Sequence, residues 1–206
     1  FEEGQIEGDF IIPFDENGSI GNDYGFSGRV LDASINITKE FRIKNLTTEI
    51  NHTKDKAANL FNIRIEKGNL LDFDLTNSVF KLRRENNENQ IKSLVNTKGD
   101  LNFHKIKKIS SFLNFNVNNI KDIKGKIDLQ TNIEFKLNKK FRVKNLVYSL
   151  EGEIPYSEIY FNENKIVKKY LSDYSDKIII KDSKLKFTKN KPTNTIEING
   201  LMKINN

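Results

Sequence analysis

The segment Glu40-Phe41-Arg42-Ile43-Lys44-Asn45-Leu46 returns almost unchanged as Lys140-Phe141-Arg142-Val143-Lys144-Asn145-Leu146. In each copy the apolar residues share one parity before the asparagine and the opposite parity after it. Because side chains of a β-strand alternate between two faces, a change of parity requires an extra residue or a turn. The sequence therefore predicts a β-bulge or a tight turn at Asn45 and at Asn145. It also predicts an architecture built from related units around residues 28–50 and 125–150.

Alternation of apolar and polar residues continues along nearly the whole chain. The longest run is formed by Ile127, Leu129, Ile133, Phe135 and Leu137, which share one parity. The positions between them carry mostly charged or amide side chains. One apolar face and one solvated face are typical of antiparallel sheets. We therefore predict a mainly β fold with a long, twisted, mostly antiparallel sheet.

Two segments have helical spacing of their apolar residues instead. The first is His104–Phe115, with apolar residues at Ile106, Ile109 and Phe112, and the second is Glu163–Tyr174. We predict two short helices, near residues 104–115 and 163–175, that cover an end or a flank of the sheet.

The composition limits the class of protein. The 206 residues fit one domain or one segment of a repetitive sheet. The net charge is +6, but the basic residues alternate with apolar ones, so we predict a solvated sheet face and no nucleic-acid partner. The absence of cysteine excludes disulfides and thiolate metal sites. The start Phe1-Glu2-Glu3-Gly4 has no initiator methionine and no signal pattern, so we expect a fragment of a longer protein.

Residues that carry chemistry are sparse. The two histidines, His52 and His104, are far apart, and neither has a second ligand at metal-binding spacing. We predict both to be ordinary surface residues, His52 in a polar loop and His104 at a helix start. The sequence contains no phosphate-binding loop, no serine-nucleophile motif and no zinc-protease motif. We therefore predict a protein that is not an enzyme and has no catalytic residue, no metal site and no cofactor.

The pattern resembles the AsmA-like superfamily, and within it the large YhdP and TamB type of protein. The resemblance is carried by the two FRIKNL-like strands, by strands that open with glycine, and by a short helix before Gly125-Lys126-Ile127. It implies a sheet curved into a taco-like groove that conducts phospholipids between the inner and outer membranes. It also implies a periplasmic protein, anchored in the inner membrane by a helix outside this chain. The resemblance supplies no catalytic motif.

Two short helices are too small to cover the apolar face of such a sheet, and open apolar surface of that extent usually marks a binding site. We therefore expect the face to bind the acyl chains of phospholipids, with membrane contacts through parts outside this chain. The candidate groove residues are Ile35, Ile37, Phe41, Ile43, Ile127, Leu129, Ile133, Phe135, Leu137, Phe141 and Val143.

The alternative is a protein of another class. A closed β-sandwich, whose apolar face is ordinary core, and a β-solenoid segment of a structural or adhesive surface protein both remain compatible with alternation. Uneven strand lengths and the two predicted helices argue against a regular solenoid. A carbohydrate-binding sandwich would lack its usual stacking platform, because the chain has no tryptophan.

Overall fold

The structure is a computed structural model that describes residues 3–21, 24–55, 58–85, 88–113, 116–138, 143–162, 176–190 and 193–205. These residues form an 11-stranded sheet and one helix, so the predicted mainly β fold is confirmed. The strands are β1 (Glu3–Ile11), β2 (Gly25–Asn36), β3 (Arg42–Asp55), β4 (Ala58–Leu70), β5 (Phe73–Asp74), β6 (Val79–Glu85), β7 (Glu88–Asn102), β8 (Ile120–Leu137), β9 (Val143–Phe161), β10 (Lys177–Asn190) and β11 (Thr193–Asn205). The helix α1 (Phe103–Leu113) lies between β7 and β8.

The sheet is an antiparallel meander, in which strands that follow one another in the chain are neighbours, except that β5 and β6 do not pair with each other. All the strand pairs are antiparallel, as predicted. The pairings of β4, β5, β7 and β6 close a ring of four strands, and the other strands lie outside it. Within the ring, β5 pairs with the end of β4 and β6 with its beginning. Both keep one register on β4, so β5 and β6 are two halves of one interrupted strand.

Helix α1 confirms the first predicted helix over the part of residues 104–115 that the structure describes. The Asn102 side chain caps it, because Asn102 Oδ1 accepts a hydrogen bond from Lys105 N at 3.0 Å. The Lys105 ammonium donates to Asp100 O at 2.8 Å and lies 4.4 Å from the centroid of the Phe73 ring. These contacts place α1 over one end of the sheet. The second predicted helix, near residues 163–175, lies outside the described residues.

The two predicted irregularities at asparagine are present as β-bulges. Asn45 has a φ of 51° and Asn145 a φ of 52°, the left-handed region that asparagine tolerates better than most residues. The register of β3 on β4 shifts between Lys44 and Thr47, on either side of Asn45. Strand β3 continues through the bulge at Asn45, and β9 continues through the bulge at Asn145. The alternative prediction, a tight turn between two strands, is therefore wrong.

A cluster of buried apolar side chains lies on one face of the first half of the sheet. This core cluster is formed by Val30, Ala33, Ile43, Leu46, Ile65 and Leu75. The accessible surface of the whole chain is 14269 Å², whereas a compact monomer of this mass exposes about 9,900 Å². The chain therefore leaves far more surface in contact with solvent than a compact globule does.

The opposite face of the sheet is polar and carries ion pairs between neighbouring strands. Lys98 Nζ lies 2.8 Å from Asp128 Oδ2, and Lys92 Nζ lies 3.3 Å from Glu134 Oε1. The hydrogen bond from Lys98 to Asp128 raises the pKa of the Lys98 ammonium. Each of these side chains is about half exposed or more, so each pair adds little stability. This face is the solvated one that the alternation predicts.

Glu158 on β9 is the centre of a tighter cluster on the polar face. Its carboxylate accepts a hydrogen bond from the Tyr156 hydroxyl, a second from the Tyr160 hydroxyl at 2.6 Å, and contacts Lys177 Nζ at 3.0 Å. These partners, with Tyr156 the largest contributor, lower the pKa of Glu158 from 4.5 to about 2. The ionised Glu158 carboxylate thus links β9 to Lys177 on β10.

Glu158→Gln is expected to reduce stability at neutral pH but not in acid. Since folding lowers the pKa of Glu158, its contribution is fully present above pH 4.5 and is lost as the pH falls toward about 2. Urea midpoints of the wild type and the variant would be compared across that interval. The difference between them is expected to shrink steadily below pH 4.5. A difference that stays constant down to about pH 2 would contradict the assignment.

Candidate functional site

The strand register aligns the apolar side chains into rows that cross the sheet. Directly paired residues of an antiparallel sheet point to the same face, with Cβ atoms about 4.5–5.5 Å apart. One row runs through seven strands and is apolar except at His52. It consists of Phe10, Phe26, His52, Phe61, Leu82, Ile91 and Phe135. We call it the aromatic row.

A second row lies two residues further along each strand, on the same face. It consists of Ile50, Ile63, Phe80, Ser93, Ile133 and Tyr148. Partly buried Ile50 and Phe80 pack against the core cluster, which connects both rows to it. The apolar residues of the strands thus form one continuous surface, which we call the apolar face.

The structure brings most of the predicted groove residues to this face. Ile35 pairs with Ile43, which belongs to the core cluster, and both lie on it. Five more come from β8: Ile127, Leu129, Ile133, Phe135 and Leu137. Of these, Ile127 is buried and the other four are half-buried.

The remaining candidates lie elsewhere or are not described. Ile37 follows the end of β2 and is 52% exposed. Phe41 is buried in the connection between β2 and β3, where its carbonyl accepts hydrogen bonds from Ile37 N and Thr38 N. Phe141 lies outside the described residues. The backbone of Val143 pairs with Leu137, and the structure does not describe the Val143 side chain.

The described elements cover the apolar face only in part. Helix α1 packs on β7 and β8 at one end. At the edge strand β1, large apolar side chains point into solvent: Phe10 is 75% exposed and Ile6 is 64% exposed. Ile20, in the connection to β2, is 68% exposed. The apolar face is therefore most open toward β1.

Several of the polar groups buried within the sheet are serine hydroxyls that bond to the backbone. Ser183 Oγ donates to Lys181 O at 2.8 Å, and Ser157 Oγ donates to Lys124 O at 3.3 Å. Hydroxyls that already have partners add little polarity to an apolar surface. Among the described residues there is no cluster of three side chains that could hold a metal ion.

His52 corrects one prediction from the sequence. The sequence predicts a polar surface loop at this residue, but His52 lies within β3 and is only 6% exposed. His52 Nε2 lies 3.1 Å from Asn59 Oδ1, and its ring lies 4.5 Å from that of Phe61. His52 has the same parity as Thr48 and Ile50, so the alternation along the sequence already indicated that it lies on the apolar side of the strand. His104 is exposed at the start of α1, as predicted.

The described part of the chain contains no helix that is both long enough and apolar enough to cross a membrane. The sequence matches no protein-family model, no curated protein and no solved structure.

Proposed function

We propose that this chain is a non-enzymatic, lipid-binding segment of a larger protein of the cell envelope. Its apolar face curves into a taco-like groove that holds the acyl chains of phospholipids. The protein conducts these lipids between the inner and outer membranes. It acts in the periplasm, and parts outside this chain provide the membrane contacts and the anchor.

The observation that carries the proposal is a continuous apolar face that the described residues cover only in part. The aromatic row alone spans seven strands, yet its Phe10 is 75% exposed and its Phe135 only half-buried. Uncovered apolar surface of this extent is unusual in a monomer, because each Å² exposed to water costs about 25 cal/mol. Acyl chains would cover it without requiring polar partners.

Curvature of the sheet is supported by the positions of its bulges. Asp32 on β2 and Asp182 on β10 have φ values of 47° and 43°, like Asn45 and Asn145 on the strands that pair with them. A bulge bends its strand and increases the local twist. Bulges on β2, β3, β9 and β10 would therefore increase the twist and bend the strands in both halves of the sheet.

Photo-crosslinking in cells tests the proposal at the central strand β8. A crosslinking residue would replace Leu129, Ile133 or Phe135 on the apolar face, one at a time. Because successive side chains point to opposite faces, lipid adducts are expected at these three positions. Ile127 is only 8% exposed, so a probe there is expected to react mainly with protein.

The matched controls lie between those positions. Asp128, Asn132 and Glu134 are exposed on the polar face and are expected to give no lipid adducts. A closed sandwich of a structural or adhesive protein predicts no lipid adducts at either set, because its apolar face is filled by protein. That result, in a protein shown to be folded, would overturn lipid binding by this chain.

A further inference from the structure

One end of the apolar face is bordered by a row of polar and cationic side chains. The register pairs Lys54 with Asn59, Asn59 with Arg84, and Arg84 with Asn89. Each of the four lies two residues beyond the aromatic row on its own strand, so it points to the same face, about 6.6 Å further along. We call these four residues the cationic row. A boundary between apolar and cationic surface is the arrangement that suits an anionic amphiphile.

The cations of this row have no acidic partner among the described residues. Within that part of the chain, neither Arg84 nor Lys54 forms an ion pair, and the row contains no carboxylate. The neighbouring Arg83, on the polar face, is neutralised by Glu85 at 2.9 Å. Lys54 Nζ lies 5.6 Å from the centroid of the Tyr24 ring. Within the described residues, two positive charges without an acidic partner therefore stand beside the apolar face, in a chain whose net charge is +6.

A cavity of about 470 Å³ joins the two rows at the β1 side of the sheet. Ligand pockets in proteins typically measure about 300–1,000 Å³ and are mostly apolar with a few polar groups. This one combines aromatic and aliphatic walls with the polar groups of Tyr24, His52, Asn59 and Arg84. Its principal lining residues are Phe10, Ile20, Phe26, Phe61, His52 and Arg84.

His52 makes the polar side of this cavity rigid. The imidazole is 6% exposed, bonded to Asn59 Oδ1 at 3.1 Å, and flanked by the rings of Tyr24 at 5.4 Å and Phe61 at 4.5 Å. Asn59 is therefore oriented by His52 directly beside Arg84, its partner across β4 and β6. A side chain held in one geometry loses less entropy when a ligand binds.

We propose that this end of the apolar face is a headgroup site for an anionic phospholipid. Its phosphate accepts hydrogen bonds from the Arg84 guanidinium, with the Lys54 ammonium close by, and its acyl chains lie along the aromatic row. Arginine suits this role because its planar fork of donors matches phosphate oxygens. The inference rests on the proposed function and adds to it a preference for negatively charged lipids and a fixed orientation in the groove.

Arg84→Gln and Arg83→Gln form a matched pair for the test. The two residues are adjacent on β6, both exposed, and their replacement changes the net charge equally, but they point to opposite faces. The purified chain would be mixed with vesicles of phosphatidylcholine and phosphatidylglycerol. After the vesicles are removed, the lipid retained by the protein would be identified and quantified by mass spectrometry.

The wild type is expected to retain phosphatidylglycerol in preference to phosphatidylcholine. Arg84→Gln is expected to weaken retention of phosphatidylglycerol about tenfold, because a hydrogen bond to a charged group is lost. Arg83→Gln is expected to retain it like the wild type. Lys54→Gln provides a second variant in the cationic row, with a smaller expected loss, if Arg84→Gln does not fold.

The outcomes separate this site from the groove itself. Equal retention by Arg83→Gln and Arg84→Gln, whether normal or reduced, would overturn the headgroup site. Lipid adducts on β8 in the same protein would then leave the proposed groove intact. Binding to vesicles that depends on Arg84 but leaves no lipid on the protein would mean docking on a membrane surface, which also overturns it. Absence of retained lipid and of β8 adducts together would overturn the proposed function.

Discussion

Gly152→Ala is expected to lower the free energy of unfolding by about 3 kcal/mol, through backbone strain and overlap with the neighbouring strand. Gly152 lies in β9 opposite Leu129. Its φ of 154° is a backbone conformation that residues other than glycine rarely adopt. A Cβ atom there would lie 2.2 Å from Asp128 O and 2.7 Å from Leu129 Cα. Both are backbone atoms, so they cannot rotate away as a side chain can. Relief requires β8 and β9 to separate.

Gly25→Ala is the control for this prediction. Gly25 opens β2, and an added Cβ there would meet its nearest atom, His52 O, at an ordinary 3.4 Å. We expect a change within about 0.5 kcal/mol, as for surface substitutions away from special backbone geometry. Urea unfolding followed by circular dichroism would measure both variants. Similar midpoints for the two would mean that β8 and β9 do not approach each other as closely as described.

The sequence predicted the strands and their faces well because the signal is local. Alternation needs only the residue types along one strand, and the parity change at Asn45 marked the bulge without any knowledge of the fold. The register then follows from matching apolar faces. For this reason the parity of residues 127–137 placed the β8 candidates on the apolar face.

Features that depend on contacts between distant residues were not predictable in this way. The close approach at Gly152 depends on how β8 meets β9, and a glycine in a strand does not reveal its neighbour. The interruption between β5 and β6 depends on turns within residues 75–78, where Ser78 N donates to Leu75 O at 3.1 Å. Ile37 fits the alternation but falls beyond the last paired residue of β2. Alternation alone does not tell where pairing stops.

His52 illustrates a different limit. A histidine among asparagine, threonine and lysine residues resembles a solvated loop by composition. Its burial comes from the rows of the sheet, since Phe26 and Phe61 lie directly opposite it on β2 and β4. The same rows bring Arg84 beside Asn59, although the two are far apart in sequence. The cationic row is therefore a property of the register and not of any motif.

Phe135→Asp is expected to abolish lipid retention and to destabilise the fold, whereas Glu134→Gln should do neither. Phe135 ends the aromatic row opposite Ile91, on the apolar face. A carboxylate at this position would be buried against acyl chains or the core and would lose its hydration. Because no cation lies directly opposite it, that loss would not be offset. The loss of stability is expected to be about 3 kcal/mol, within the range for truncating a large apolar side chain.

Glu134 is the matched control because it is the next residue on the same strand and points to the opposite face. Its carboxylate accepts from Gln90 Nε2 at 2.9 Å and lies 3.3 Å from Lys92 Nζ. Both contacts are exposed, so a neutral amide is expected to change stability by less than about 1 kcal/mol. Retained phosphatidylglycerol and the urea midpoint would be measured for both variants. Because lipid bound only to the folded state raises the midpoint, the wild type and Glu134→Gln should gain stability with added lipid and Phe135→Asp should not. Equal gains in all three proteins would place the lipid away from the apolar face.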